Sequence, residues 1–344
     1  MAEPTAPTGV LLIQLGTPDS TEVSDVRAYL REFLSDPRVL DMPPPARTLL
    51  LKAVILPFRP RRSAEAYEKI WTDQGSPLTI HTENLAARVQ QLLGDGYRVA
   101  YGMRYRNPPI SEAVERLVAE GCDRLVILPL FPQYASASTG SALEEVLRVV
   151  GERWNTPDVV TIGSFYDDAG FVRSVAEVAR PALDQFRPDH ILFSYHGLPE
   201  KQIRKSDPTG EWCLASEGCC DRTTTANRFC YRAQSFATTR SVATELGLEP
   251  GTYSTAFQSR LAGQKWIEPY TDVVIDDLLR SGVGRLAVLT PSFTADCLET
   301  LEEIGIRLRA QWVESGGEDF LLVPCLNAEP VWAEAVAGMI RRVV

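Results

Sequence analysis

The chain has 344 residues, 44% apolar and 23% charged, with a formal net charge of −10. This is the balance of a folded globular protein long enough for two domains. It argues against disorder and, with no long Lys/Arg block, against general nucleic-acid binding. No run of about 18 uncharged apolar residues is available to span a bilayer. The opening, MAEPTAPTGVLLIQLG, lacks the basic flank and small-residue cleavage site of a secretory signal. The expectation is a cytoplasmic protein in which disulfides are disfavoured.

In chain order, GVLLIQL (9–15) reads as a strand running into LGTP, with Gly16 and Pro18. ARTLLLKAVILPFRPRR (46–62) mixes aliphatic residues with Arg47, Lys52, Arg59, Arg61 and Arg62. It reads either as an exposed apolar lip or as an amphipathic helix ended by Pro57 with a basic loop after it. His81, in SPLTIHTENLA, sits near a helix start and reads as packing or surface. YRVAYGMR (97–104) and RLVILPL (124–130) are further strands, and YASASTGSALEE (134–145) is a strand-to-helix turn that could also cradle an anion. HILFSY (190–195), YSTAFQSR (253–260) and RLAVLTP (285–291) repeat the strand pattern in the second half.

The halves echo each other in order. LIQLGTP answers to LFSYHGLP; YRVAYGMR answers to YSTAFQSR, with Tyr97 and Tyr253 156 positions apart; and DRLVILPLF answers to GRLAVLTPSF, with Arg124 and Arg285 161 apart. Short β-branched runs alternating with helical patterns predict parallel sheets flanked by helices. The fold expected is therefore α/β: two Rossmann-like lobes related by internal duplication, 1–165 and 166–344, the second carrying a cysteine-rich insertion at 207–232. Ligands of such folds bind beyond the carboxyl ends of the strands. GVGRLA (282–287) fits a dinucleotide fingerprint by letters but precedes its strand, and the P-loop, H-E-x-x-H and G-x-S-x-G motifs are missing.

Two strand ends carry candidate chemistry. His196, in SYHGLP, closes a strand, whereas His190 opens one. His196 reads equally as a functional group or as a core histidine bonded to backbone. In FTADCLETLEEIGIRL, Glu299 and Glu303 are four apart on one helix face, with Glu302 beside them. Asp296 with Glu299 also fits a simple capping box. An imidazole facing carboxylates suits a metal site or a proton relay.

Four of the seven cysteines, Cys213, Cys219, Cys220 and Cys230, fall in EWCLASEGCCDRTTTANRFC (211–230). In a cytoplasmic chain such a cluster points to metal before disulfides. The spacing C-x5-C-C-x9-C lacks the C-x2-C pairs of zinc ribbons. Adjacent Cys219 and Cys220 are awkward on one tetrahedral ion but can serve two irons, which places a [2Fe–2S] site ahead of zinc and of scattered free thiols. Cys122, Cys297 and Cys325 read as structural thiols.

SYHGLPE, AFQSR with WIEPYT, and FTADCLETLEEI, together with LIQLGTPDS, GSPL, YGMRYRNP, LPLFPQYASASTG and CLNAEP, resemble the signature segments of ferrochelatases from about Val10 to the C-terminus. The resemblance implies two Rossmann-like lobes around a porphyrin cleft and the insertion of ferrous iron into protoporphyrin IX. It implies His196 as pyrrole proton acceptor and metal contact, Glu299 and Glu303 as metal or proton relay, and Arg104, Tyr105, Ser259 and Trp266 as porphyrin contacts. It strengthens the assignment of a [2Fe–2S] cluster to Cys213, Cys219, Cys220 and Cys230. The lip at 46–62 implies at most peripheral membrane contact. The implied partners are porphyrin, ferrous iron and the preceding haem-pathway enzyme, and oligomeric state is open. Two departures stand out: Cys297 where some members carry a second histidine, and Leu15 where some carry a tyrosine. Coproporphyrin as substrate, a cobalt-inserting chelatase, and a non-catalytic haem or iron–sulfur sensor are the rival readings.

Overall fold

The β-branched runs form eight strands: β1 Thr8–Gly16, β2 Tyr97–Tyr105, β3 Arg124–Pro129, β4 Asp158–Thr161, β5 His190–His196, β6 Tyr253–Gln258, β7 Arg285–Leu289 and β8 Asp319–Leu322. They build two four-stranded parallel sheets, in the orders β2-β1-β3-β4 and β6-β5-β7-β8. The computed structural model describes residues 6–260 and 263–344; the first five residues of the opening examined for a targeting signal lie outside the described residues.

The chain divides into two compact units. One comprises residues up to Phe131, Ser136–Ser164 and Ala328–Val344; the other comprises Pro132–Ala135 and Phe165–Asn327. In the first, Val10, Leu11, Leu12 and Ile13 of β1 are all fully buried. Successive strand side chains point to opposite faces, so β1 is covered on both. Leu11, Ile13 and Ile127 share one core with Val114 and Val146 from helices Ile110–Ala119 and Ser141–Gly151. Helix Pro77–Leu93 packs on β1 and β2, and the last helix, Pro330–Arg341, packs on Pro77–Leu93. In the second unit, Leu192 and Val288 share a core with Ile275, Ile304 and Trp312.

Sheet register identifies the duplication residue by residue. With Gly16 matched to Gly197, Val10 matches Ile191. Their β3 and β7 partners are Val126 and Ala287, 161 apart, the spacing already read between Arg124 and Arg285. Their β2 and β6 partners are Val99 and Tyr253, 154 apart. The letter echo at 156 is thus two residues out of structural register, a slip that keeps every side chain on its own face. Each half repeats the same loop device: Met103 N–H donates to the Pro108 carbonyl at 2.7 Å, and Phe257 N–H to the Pro269 carbonyl at 2.8 Å, both prolines following cis peptide bonds.

The matched glycines have a shared reason. A Cβ on Gly16, at φ +112°, would lie 1.9 Å from the Tyr105 carbonyl oxygen, and one on Gly197 would lie 2.7 Å from that of Gln258. Only glycine lets the end of each unit's first strand approach its neighbour so closely.

The 46–62 segment departs from the helix-then-loop expectation. It forms helix Pro44–Leu50, a π-helical turn Leu51–Ile55 and helix Leu56–Glu68. Pro57 stands in the first turn of the last helix, where its missing N–H costs no hydrogen bond, so it starts a helix that carries Arg59, Arg61 and Arg62. Phe58 is 76% and Leu49 69% exposed. No helix among the described residues is long and apolar enough to cross a membrane.

Candidate active site

The carboxyl ends of β5, β6 and β7 carry the site in the second unit. His196 ends β5 in register with Gln258, the last residue of β6. Its Nδ1 lies 2.6 Å from the Gly197 carbonyl oxygen. A carbonyl can only accept, so in the neutral ring Nδ1 carries the proton and Nε2 keeps its lone pair. The His196 backbone N–H donates to Ser292 Oγ at 3.2 Å, and the ring meets Phe293 edge-on at 6.4 Å.

After β7 the chain enters a ten-residue π-helix, Glu299–Leu308. The expected α-helix is replaced by an i→i+5 ladder, a rare form that recurs at functional sites. Gln258 fixes its start: Ser194 Oγ donates to Gln258 Oε1 at 2.7 Å, and Gln258 Nε2 donates to the Glu299 carbonyl at 2.9 Å. Gln258, which sequence reasoning missed, therefore brackets the strand end bearing His196 to the helix bearing the glutamates. Asp296 does not form the expected capping box. Its carboxylate accepts from Thr300 Oγ1 at 3.0 Å, Asn327 Nδ2 at 2.8 Å and the Cys325 backbone, tying the turn after β7 to the turn after β8.

The three glutamates differ. Glu302 is buried and accepts from Arg307 Nε at 2.7 Å. Glu303 accepts from Ser259 Oγ at 2.6 Å. Burial pushes the Glu303 carboxyl above its ordinary value; the Ser259 hydroxyl and the charges of His196 and Arg307 pull against that, and Glu299 adds to it. His196 and Glu299 are thus both close enough to Glu303 to act on its charge. Cys297, in the second-histidine position, is buried and hydrogen-bonded with Glu299. Trp266 lies on the His196–Gly197 turn, pairing with Pro199, while Ile267 N–H donates to the Leu198 carbonyl at 3.0 Å. Its indole Nε1 is buried without a hydrogen-bond partner. The structure therefore brings His196, Glu299, Glu303, Ser259 and Trp266 together.

Arg104 and Tyr105 belong to the other unit, where they enclose Asp36. The Asp36 carboxylate accepts from Ser141 Oγ at 2.5 Å, Tyr105 Oη at 2.9 Å and Arg104 Nη2 at 3.0 Å, and Arg104 Nε also donates to Ser141 Oγ at 2.7 Å. Tyr105 is 1% exposed and Arg104 18%. Burial works to raise the Asp36 pKa, but the Ser141 hydroxyl, the Arg38 N–H, the Tyr105 hydroxyl and the Arg104 charge together hold it below its ordinary value. A lowered folded-state pKa stabilises the protein above the ordinary carboxylate range, and that stability is lost as pH falls through the lowered value. Asp36→Ala should cost about 3–5 kcal/mol at neutral pH, because it takes the charge partner from a mostly buried guanidinium and the shared acceptor from the buried Tyr105 hydroxyl. Urea denaturation from pH 7 downward should show the gap from wild type closing in acid; a constant gap would refute the charge argument.

The cysteine segment forms a nest. From residue 207 to 230 the buried residues are Asp207, Cys213, Cys219, Cys220, Asn227 and Cys230. Thiols are thus the interior of an otherwise polar loop. Asp207 accepts the backbone N–H groups of Thr209, Trp212 and Cys213, and Asn227 donates to the carbonyls of Cys219 and Arg222. Cys219 and Cys220 Sγ are 3.7 Å apart. Two thiolates on one ion at metal–sulfur bonds of about 2.3 Å stand that far apart, so adjacency is no obstacle to sharing one metal. Cys230 hydrogen-bonds both Cys213 and Cys220. All seven cysteines are free. Among the described residues no group of three or more His, Cys, Asp or Glu is arranged to hold a single ion. In burial and mutual contact the four thiols make one group of sulfur donors.

The fold has solved relatives among chelatases. SirB from Bacillus subtilis with Fe3+ matches with a TM-score of 0.55 at 10% identity, over 98% of this chain and 95% of that one. The sirohydrochlorin chelatase SirB from Bacillus subtilis subspecies spizizenii, in complex with cobalt, matches with a TM-score of 0.53 at 10% identity over the same shares. The frame is therefore the duplicated α/β fold of chelatases. In sequence, the model of the family described as Ferrochelatase matches residues 7–344. A ferrochelatase of Coxiella burnetii (strain CbuK_Q154) is 47% identical over 97% of this chain and 93% of its own length, and one of Legionella pneumophila (strain Lens) is 45% identical over 96% and 98%. The chain belongs to the ferrochelatase family.

Proposed function

We propose that this enzyme inserts ferrous iron into protoporphyrin IX to form protohaem, with His196 accepting a pyrrole proton. The observation that carries the reading is the Nδ1–H bond from His196 to the Gly197 carbonyl. It leaves Nε2 as the free base and ligand atom beside Glu299 and Glu303. Metal insertion removes two protons from the macrocycle. Nε2 takes one, since imidazole works as a base near neutral pH. Glu303, whose buried carboxyl holds protons more readily than usual, passes them outward with Glu299. Carboxylate and imidazole also hold a divalent metal loosely enough to release it. Trp266 offers its ring to the macrocycle, and Ser259 keeps Glu303 aimed. Arg104, the partly exposed member of its pair, offers a guanidinium to a porphyrin carboxylate from a frame that Tyr105 and Asp36 hold rigid. A site that fits a bent macrocycle better than a flat one lowers the barrier by differential binding.

Cys213, Cys219, Cys220 and Cys230 hold a [2Fe–2S] cluster in this reading. The cluster supplies a crosslink for a loop without an apolar core; iron insertion leaves the metal ferrous, so no electron is required. The exposed Leu49, Val54 and Phe58 beside basic residues suit a lip that takes up an apolar porphyrin, from a membrane surface or from the preceding pathway enzyme, in a cytoplasmic protein with peripheral contact.

Anaerobic steady-state assays test the reading by pairing ferrous iron or cobalt with protoporphyrin or coproporphyrin. The highest kcat/KM is expected for ferrous iron with protoporphyrin. A preference for coproporphyrin or for cobalt, or porphyrin binding without turnover, would overturn it in favour of the corresponding rival.

A further inference from the structure

We propose that Arg232 is the outer-shell partner of the four-thiol nest and ties the state of that nest to the loop carrying Trp266; this rests on the cluster reading above. Helix Tyr231–Leu246 begins directly after Cys230, which places Arg232 in its first turn. Its Nη1 donates to Cys220 Sγ at 3.1 Å, and its Nε donates to the Glu268 carbonyl at 3.1 Å. The guanidinium lies over the Phe236 ring, 4.8 Å from its centroid, one helical turn away. One rigid fork therefore touches a prospective cluster ligand and the loop two residues beyond Trp266.

That loop is held to the catalytic turn, to β6 and to itself. Ile267 N–H donates to the Leu198 carbonyl, Phe257 N–H donates to the Pro269 carbonyl at 2.8 Å, and Tyr270 Oη donates to the Trp266 carbonyl at 3.1 Å. A shift of the Glu268 carbonyl is passed to the Trp266 ring and the Gly197–Leu198 turn behind His196.

The sulfur end of the fork changes character with the nest. A neutral thiol is a weak acceptor, whereas a metal-bound thiolate accepts a charge-assisted hydrogen bond. Loading the nest therefore strengthens the Arg232–Cys220 bond and holds the guanidinium where Nε meets Glu268. Hydrogen bonds and positive charge at a cluster sulfur also raise its reduction potential. Lysine carries the charge but cannot span both acceptors.

The test uses the full-length protein purified anaerobically, as wild type, Arg232→Gln and Arg232→Lys, each with its cluster and after removal of it by a chelator. Wild type should contain about two acid-labile sulfides per chain. Arg232→Gln should lose its visible cluster absorbance to the chelator about tenfold faster and titrate at a lower reduction potential. Stripping the cluster should weaken protoporphyrin binding about fivefold in wild type, and leave it unchanged in both variants because the link is already cut. Arg232→Lys should keep most of the potential. If wild type holds its sulfide but Arg232→Gln matches it in chelator rate and potential, the role of Arg232 is refuted while the cluster stands. If stripping wild type leaves porphyrin affinity unchanged, the link to the Trp266 loop is refuted. Absence of sulfide from wild type brings down the cluster reading itself, and this proposal with it.

Discussion

Replacing His196 with alanine is expected to lower iron insertion by about a thousandfold or more while porphyrin still binds within a few-fold of wild type. The imidazole stands at the end of β5 with Nδ1 occupied by the Gly197 carbonyl, so the change removes one free lone pair and little else of the fold. Stopped assays of haem formation, with porphyrin affinity read by fluorescence quenching, separate the two effects. Turnover near that of wild type would remove His196 from the chemistry; loss of porphyrin binding in step with turnover would recast it as a binding residue.

The second large effect is expected at Cys230. It is the most deeply buried of the four clustered cysteines and is hydrogen-bonded to two of the others, Cys213 and Cys220. Cys230→Ser should take sulfide from about two per chain to near zero. It should also open the 207–230 segment, because the thiol nest is that loop's interior. Limited trypsinolysis at Arg222 or Arg228 should speed up by about tenfold or more while the two sheets stay protected. Unchanged sulfide with an intact loop would exclude Cys230 as a ligand. Unchanged sulfide with a labile loop would make its role packing alone.

Much of this was legible in the sequence because it is written locally. Each unit's first strand closes on a glycine in a repeated motif, and the strands alternate with helices at spacings that parallel sheets require. His196 stands at the end of β5, where α/β folds display working groups, and Glu299 opens the helix that follows β7. What escaped is what the chain does over distance or against its own periodicity. An α-helical period puts Glu299 and Glu303 on one face, yet the segment winds as a π-helix in which the buried Glu302 accepts from Arg307. Arg104 and Tyr105 were legible as polar residues at a strand end. Their bonds to Asp36, which lies 68 and 69 positions earlier, were not. Nor does any local signal announce that Asp207 and Asn227 organise the cysteine loop, or that Arg341, near the C-terminus, donates to the Leu92 carbonyl.

Matching Gly16 to Gly197 also places Leu15 opposite His196 and Arg104 opposite Gln258. The two halves then look like one socket fitted twice. In each, a residue at the end of the second strand reaches over to a backbone carbonyl beyond the third: Arg104 Nε to Ser141 at 3.1 Å, Gln258 Nε2 to Glu299 at 2.9 Å. Into one socket the chain has put an imidazole with acids beside it; into the other, an aliphatic side chain with a serine, Ser138, at the place of Glu299. Copying the frame thus left each copy free to change the side chain at its matched strand end without disturbing the sheet beneath it, Leu15 in the earlier one and His196 in the later.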